Sequence, residues 1–370
     1  KNMKAPLFFL LISAALTLLL PMAAIGVPLA LPDAPPAAGG PGSSSSEAGL
    51  PGLPAAPEEN AEDAPPAQTQ SSAPAVSAAP AHAGEFRRES FRILDRTTGE
   101  VKEVPLADYL RGALASEMPA SFHSEAMAAQ AVAAHSYALY CARAQEANPD
   151  PALKGADFSA DPSKDEGYIT EARAKERYGA NFDLYWPKIC AAAEIAEHHI
   201  LLYGGEPILA AYHSTSAGET ESAANVWEHG LDYLVPVESE GDLLAPQYQT
   251  TVTLTKDEME KRLTAAFPEA ELPASPGAWL VPVERSEGGY ITEIKVGDQA
   301  VHGKEVRAAL GLRSSCFEAV YANGAFTLTV NGYGHGVGLS QYGADFMARQ
   351  GSDYVDILAH YYPGTTLAEI

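Results

Sequence analysis

Tyr109-Leu-Arg-Gly-Ala-Leu-Ala-Ser-Glu-Met-Pro-Ala-Ser-Phe122 reads as a helix that stops abruptly. Leu106, Leu110 and Leu114 recur at helical spacing and predict a helix from about Leu106 to Ser116. Pro119 ends it, because the residue before a proline is steered away from helical geometry. A second helix is expected from about Ser124 to Ala147, a stretch rich in alanine, with Ser121 or Ser124 as its cap. Glu117 therefore falls at the junction of two helices, where a side chain can project into a cleft. It is the only carboxylate between Asp108 and Glu125, and Leu114, Ala115, Met118, Pro119 and Phe122 around it are apolar or small. Desolvating a carboxylate is expensive, so such a setting should raise its pKa and suit it to donate a proton near neutral pH. The bland alternative is a glutamate that points to solvent at a helix end.

Working outward, Phe91 to Val104 reads as a hairpin around Thr98-Gly99. Residues 148 to 168 are loop-like, and helices are expected from Glu171 to Tyr178 and from Pro187 to Ala196. Strands follow at Ile200–Tyr203, Pro207–His213 and Tyr248–Leu254. Thr255-Lys-Asp-Glu258 is a capping box opening a helix to Phe267, with further strands at Trp279–Glu284, Tyr290–Val296 and Phe326–Val330. Helices and strands mix without a regular βαβ alternation, so the expected class is α+β, in one large or two intertwined subdomains.

Residues 1 to 32 carry a charge-free apolar run, Ala5 to Pro32, preceded by Lys1 and Lys4. It is expected to be a membrane anchor, with the rest of the chain on the extracytoplasmic side; a cleaved signal peptide is the competing reading. Residues 33 to 86 are Ala, Pro, Ser and Gly with scattered acids, and predict a disordered linker. From Arg87 onward roughly 285 residues remain for the globular part, residues 87 to 370. The formal charge of −24, from 48 acids against 24 bases, argues against nucleic acid or anionic lipid as a partner. Cys141, Cys190 and Cys316 are far apart and include no CxxC pair. A disulfide between two of them and three buried thiols both remain open.

Three polar stretches stand out: Glu117-Met-Pro with the helix Gln130-Ala-Val-Ala-Ala-His-Ser-Tyr137, and the Gly- and Ser-bearing Tyr212-His-Ser-Thr-Ser-Ala-Gly-Glu-Thr220 and Gly332-Tyr-Gly-His-Gly-Val-Gly-Leu-Ser-Gln-Tyr-Gly-Ala344. The third lacks the glycine spacing of a dinucleotide fingerprint, and its glycines instead suit close backbone approach. No nucleophile elbow surrounds Ser214 or Ser216, and no HExxH or Asp/His cluster supports a metal at His198, His199 or His213. Hydroxyl-rich, glycine-lined stretches suit a saccharide. Gln130, His213, Ser214, Thr220, His335, Ser340, Gln341 and Tyr342 are the candidate substrate-binding residues, with Glu117 as the candidate catalytic residue.

Tyr109-Leu-Arg-Gly112, Ser116-Glu-Met-Pro-Ala-Ser-Phe122 and Glu125 to Tyr137 resemble the signature of the stage II sporulation protein D family. So do Tyr212 to Thr220, His302-Gly-Lys-Glu-Val-Arg307, Gly334 to Ala344 and Ile357-Leu-Ala-His-Tyr-Tyr-Pro-Gly-Thr365. The resemblance covers essentially all of residues 90 to 370. It implies a membrane-bound peptidoglycan lytic transglycosylase of endospore formers, acting outside the mother-cell membrane while the forespore is engulfed. It further implies glycan strands stripped of stem peptides as substrate, and the stage II sporulation protein P amidase as partner. The glutamate of Glu-Met-Pro, here Glu117, would be the catalytic acid. The amidase enhancer of the vegetative wall, a glycan-binding relative in the same superfamily, is the alternative. Clostridial members can hold zinc in the loop after the long helix; Gly155 to Tyr168 has no cysteine or histidine, so no metal and no cofactor are expected. Members often carry Arg where this chain has His135.

Overall fold

The computed structural model describes residues 83–227 and 230–370. The expected anchor (1–32) and nearly all of the expected linker lie outside the described residues. The end of the expected linker is structured: Ala83–Phe86 forms a 3-10 turn and Phe86 is buried.

The N-terminal hairpin is β1 (Ser90–Asp95) and β2 (Val101–Pro105), turned at Gly99 with φ +72. Helices α1 (Leu106–Glu117) and α2 (Ser124–Ala147) follow. β3 (Phe158–Ala160) joins the hairpin in parallel with β1. Next come α3 (Glu171–Tyr178), α4 (Phe182–Glu197), β4 (His199–Tyr203), β5 (Glu206–Pro207), β6 (Tyr212–His213) and α5 (Ala223–Trp227).

Helix α2 is the axis of the larger core. Every residue from Ala126 to Ser136 is buried. A helix buried all round must be packed on all sides, and its alanines let α1 and α4 approach closely. Two of its polar residues are consumed there. His135 Nδ1 donates to the Ala196 carbonyl at 2.7 Å, and Ser136 Oγ accepts from Leu201 N–H at 2.8 Å, tying α2 to α4 and β4. Burial lowers the His135 pKa to about 4, so the imidazole is neutral. His135 thus packs between helices and has no exposed face.

A second hydrophobic core is built from β7 (Gln249–Thr255), α6 (Lys256–Ala266), β8 (Leu280–Arg285), β9 (Ile291–Val296), β10 (Gln299–His302), α7 (Gly303–Leu310), β11 (Phe317–Ala322) and β12 (Ala325–Asn331). The Thr255/Glu258 capping box opens α6 as its sequence predicts. The chain then returns to the first core through β13 (Leu339–Ser340), α8 (Gln341–Arg349), α9 (Tyr354–Tyr361) and β14 (Thr366–Glu369). The fold is α+β, with five small sheets of two or three strands among the described residues.

Three local expectations are corrected. Pro207–His213 is not one strand: Ala210 and Ala211 N–H bond back to Ile208 and Leu209 carbonyls, and Leu209 N–H goes to the Tyr233 hydroxyl, so only Pro207, in β5, and Tyr212–His213, in β6, lie in a ladder. α4 starts at Phe182 and carries Pro187 inside it. The cap of α2 is His123, whose Nδ1 accepts from Glu125 N–H, and neither Ser121 nor Ser124 fills that role. The thiols of Cys141, Cys190 and Cys316 are all free, the first and last buried and Cys190 half-buried.

Candidate active site

Glu117 is the last residue of α1, and Met118 is already extended. The turn is held from two directions. The loop after β3 lies directly on α1 at Gly112, where Ile169 N–H donates to the Gly112 carbonyl at 3.1 Å. A Cβ at Gly112 would sit 2.2 Å from the Ile169 carbonyl oxygen, so the contact requires glycine. This loop presents the Gly167 N–H to the Glu117 carboxylate. From α3, Arg177 Nη1 donates to the Ser116 carbonyl at 3.2 Å and the Tyr178 hydroxyl to the Ala115 carbonyl at 3.1 Å. Side chains of one helix thus satisfy the orphan carbonyls of the other.

The Glu117 side chain is half-buried. Burial pushes its pKa up to about 7, while the Gly167 N–H and the Arg177 guanidinium pull it down and the Glu166 carboxylate adds to the rise. Glu166 is itself ion-paired with Arg96. Near neutral pH the Glu117 carboxyl is therefore divided between acid and base forms, which suits one group to give and then take a proton. The Glu117 charge is also felt by the hydroxyls of Tyr109, which is buried, and Tyr212, which is half-buried.

Tyr212 joins this acid to the second and third polar stretches. It pairs with Leu339, and His213 with Ser340, in the parallel ladder of β6 and β13. His335 hydrogen-bonds the Tyr212 backbone. The His213 and His335 rings lie 5.8 Å apart, and Trp227 packs on His335 at 5.4 Å. The approach needs Gly334, whose Cβ would come within 2.6 Å of His213 Cβ. His213 Nδ1 faces the Val337 carbonyl at 3.1 Å and so carries the proton; His335 Nδ1 accepts from Val337 N–H at 3.0 Å. Burial lowers the His213 pKa to about 4 and takes that of His335 well below its ordinary value, so both rings are neutral. The neighbouring charge acting on both imidazoles is Arg307. Glu117 reaches them through Tyr212, whose own side chain, next along the strand from His213, points to the other face.

The remaining candidates divide. Ser214, His335 and Tyr342 keep partial exposure, whereas Gln130, His213, Thr220, Ser340 and Gln341 are buried. Gln341 Nε2 donates to Gln130 Oε1 at 3.4 Å, and Tyr342 packs edge-on against Phe122 at 4.8 Å. Ser340 Oγ donates to Asp242 Oδ1 at 2.7 Å, and Thr220 Oγ1 accepts from Val237 N–H at 2.9 Å, so both hydroxyls have internal partners. Of the other acids, Glu125 Oε2 accepts from Tyr354 N–H at the start of α9, and Glu221 Oε1 accepts from Asn225.

Several residues of the site escape a sequence reading. Asp242 is fully buried, takes Ser340 Oγ on one oxygen and Ser216 N–H at 2.8 Å on the other, and pins the two Ser-bearing stretches together. Gly167, Arg177, Tyr212 and Arg307 likewise act through tertiary neighbours. No group of three or more metal-ligating side chains occurs among the described residues.

A family model described as "Stage II sporulation protein" matches residues 95–203, which span the region from the hairpin turn through α1, α2 and α4 to β4. The chain is 34% identical over 307 residues to "Stage II sporulation protein D" of Bacillus subtilis (strain 168), covering 82% of this chain and 87% of that protein. It is 34% identical over 269 residues to the protein of the same name from Bacillus amyloliquefaciens, covering 73% and 76% respectively. An "Amidase enhancer" of Bacillus subtilis (strain 168) is 27% identical over 313 residues, covering 70% of this chain and 40% of that protein. At 34% identity over most of both chains, and with the Glu-Met-Pro turn inside the matched family model, the chain belongs to the stage II sporulation protein D family.

Proposed function

We propose that this protein is a lytic transglycosylase that cleaves peptidoglycan glycan strands to 1,6-anhydro-N-acetylmuramyl products during engulfment in endospore formation. The observation that carries the reading is the Glu117 carboxyl, raised to about 7 by burial at a helix junction, with its charge felt by the hydroxyls of Tyr109 and Tyr212. Ordinary glycosidases use two carboxylates across the bond. Here the carboxylate nearest in effect, Glu166, is bound to Arg96, which favours chemistry that needs one acid. Glu117 protonates the glycosidic oxygen as the bond from N-acetylmuramyl C1 breaks. The resulting carboxylate then takes the proton of the C6 hydroxyl as O6 bonds to C1, which closes the anhydro ring without water. Neutral His213 through its unmet Nε2, with Ser214 and Tyr342, offers hydrogen bonds to sugar hydroxyls. The proposed setting is the extracytoplasmic face of the mother-cell membrane, with the N-terminal segment as anchor and the stage II sporulation protein P amidase supplying stripped strands.

Glu117→Gln keeps shape and hydrogen bonding but cannot transfer the proton. It is expected to lower anhydro-product formation by roughly 10²–10⁴-fold, read by mass spectrometry of stripped glycan, while glycan binding persists. The similarity to an amidase enhancer favours a second reading, a glycan-binding stimulator without chemistry of its own. Wild-type protein that cleaves nothing yet accelerates an amidase, equally well as Glu117→Gln, establishes that reading in place of the first.

A further inference from the structure

Arg307 is a buried cation without an anion. It lies on α7 in the second core and is 7% exposed. Its Nε donates to the Leu312 carbonyl at 3.3 Å, and among the described residues it makes no ion pair. Arg96, Arg173, Arg285 and Arg349, all more exposed, each have a carboxylate partner. Guanidinium does not shed its proton in proteins, and a buried unpaired charge is costly. The neighbours are Tyr290 and Tyr333, whose hydroxyls favour the charge, and the imidazoles of His213 and His335.

A second polar atom beside Arg307 is also unmet. His213 is 4% exposed, its Nδ1 is committed to the Val337 carbonyl, and its Nε2 is buried with no partner. With the proton on Nδ1, Nε2 is a lone-pair acceptor. A forked donor that fits a carboxylate and an acceptor that fits a hydroxyl thus stand together, with Trp227 against the adjacent His335. A ligand bearing both a carboxylate and hydroxyls answers both.

We propose that Arg307 forms a subsite for the carboxylate of an acidic saccharide, the lactyl carboxylate of an N-acetylmuramyl residue, with His213 Nε2 accepting a neighbouring hydroxyl. This rests on the glycan reading of the site and adds to it a basis for choosing among strands. Where the stem peptide has been removed, the lactyl group ends in a free carboxylate. Where the peptide remains, the same carbon is an uncharged amide and cannot pair with Arg307. The subsite and the acid are linked along the chain through Tyr212, which feels the Glu117 charge and precedes His213 in β6.

The test is calorimetric binding to the full-length Glu117→Gln protein, which removes turnover. Three ligands are compared: a stripped tetrasaccharide of alternating N-acetylglucosamine and N-acetylmuramic acid, the same tetrasaccharide carrying stem peptides, and chitotetraose. The stripped ligand is expected to bind about tenfold tighter than either other one, as a charge-assisted bidentate contact would give. Adding Arg307→Gln should erase that factor and leave chitotetraose affinity in place, while Arg307→Lys should restore part of it. Equal affinity for stripped ligand and chitotetraose overturns the subsite and leaves glycan binding standing. Failure to bind any of the three overturns the glycan reading and the subsite with it. Should Arg307→Gln not fold, the ligand preference of the parent and the Arg307→Lys variant decides the matter.

Discussion

The Gly167 N–H faces the Glu117 carboxylate and holds its pKa down, so the loop after β3 and the end of α1 form one electrostatic unit. That loop is clamped to the hairpin turn. Arg96 pairs with Glu166, Thr97 Oγ1 donates to Asp161 Oδ1 at 2.8 Å, and Asp161 and Glu166 exchange backbone bonds. Gly167 adopts φ +85, and its Cβ would meet Ala160 Cβ at 3.0 Å.

Opposite charges bracket Glu117, and they should move its titration in opposite directions. Arg177→Met removes a cation that lowers the Glu117 pKa, and an upward shift of about half a unit or more is expected. Glu166→Gln removes an anion that raises it, so a downward shift is expected. Carbon-13 NMR of the side-chain carboxyl, assigned by its loss in Glu117→Gln, reads both without an activity assay. Shifts in the same direction would show that general loosening of the site, and not charge, controls the acid.

Glu117 should also make folding stability depend on pH. Its pKa in the folded protein, about 7, lies above the ordinary value of 4.5, so the folded state holds that proton more tightly than the unfolded chain. The resulting stability is complete below about pH 4.5 and is lost as pH rises through 7. Relative to Glu117→Gln, wild type should therefore lose of order 2 kcal/mol between pH 4.5 and pH 8, allowing for the partial exposure of the group. Urea titrations of both proteins at the two pH values measure the difference; a constant offset would rule out the linkage.

Gly112 offers a sharper packing test. A methyl group there collides with a backbone oxygen, which cannot swing aside. Gly112→Ala should cost roughly 3 kcal/mol and displace the loop that serves Glu117. Gly277→Ala, with nothing within 4 Å of the new methyl, should stay within roughly 0.5 kcal/mol of wild type. Chemical denaturation of the pair distinguishes the collision from the generic effect of adding a side chain; similar costs at both positions would contradict it.

The helices around the acid are legible because their causes are local. Leucine spacing and Pro119 mark α1, and the uninterrupted alanines mark α2. The apolar neighbours of Glu117 are likewise enough to anticipate its raised pKa. What tunes that pKa is not local: Gly167 and Arg177 arrive from a loop and a helix that sequence spacing cannot dock. Pro207 to His213 looks like a strand because its residues are apolar, yet strand formation depends on a partner ladder, and Tyr233 and short-range carbonyls take those N–H groups first. Arg307 carries no local sign of burial, since it stands beside Lys304 and Glu305 on a short helix and is enclosed only by tertiary packing.

The second core enters and leaves the molecule at one place. Gln249 and Asn331, its first and last ladder residues, face each other across β7 and β12, and their side-chain amides bond at 3.0 Å. Such paired ends make the segment a cassette: exchange of everything between them leaves the surrounding chain path closed. Glu117 sits outside the cassette and Arg307 inside it. Under the proposed roles, swapping one contiguous stretch of gene would therefore rewrite which strand is chosen, while the acid is inherited untouched.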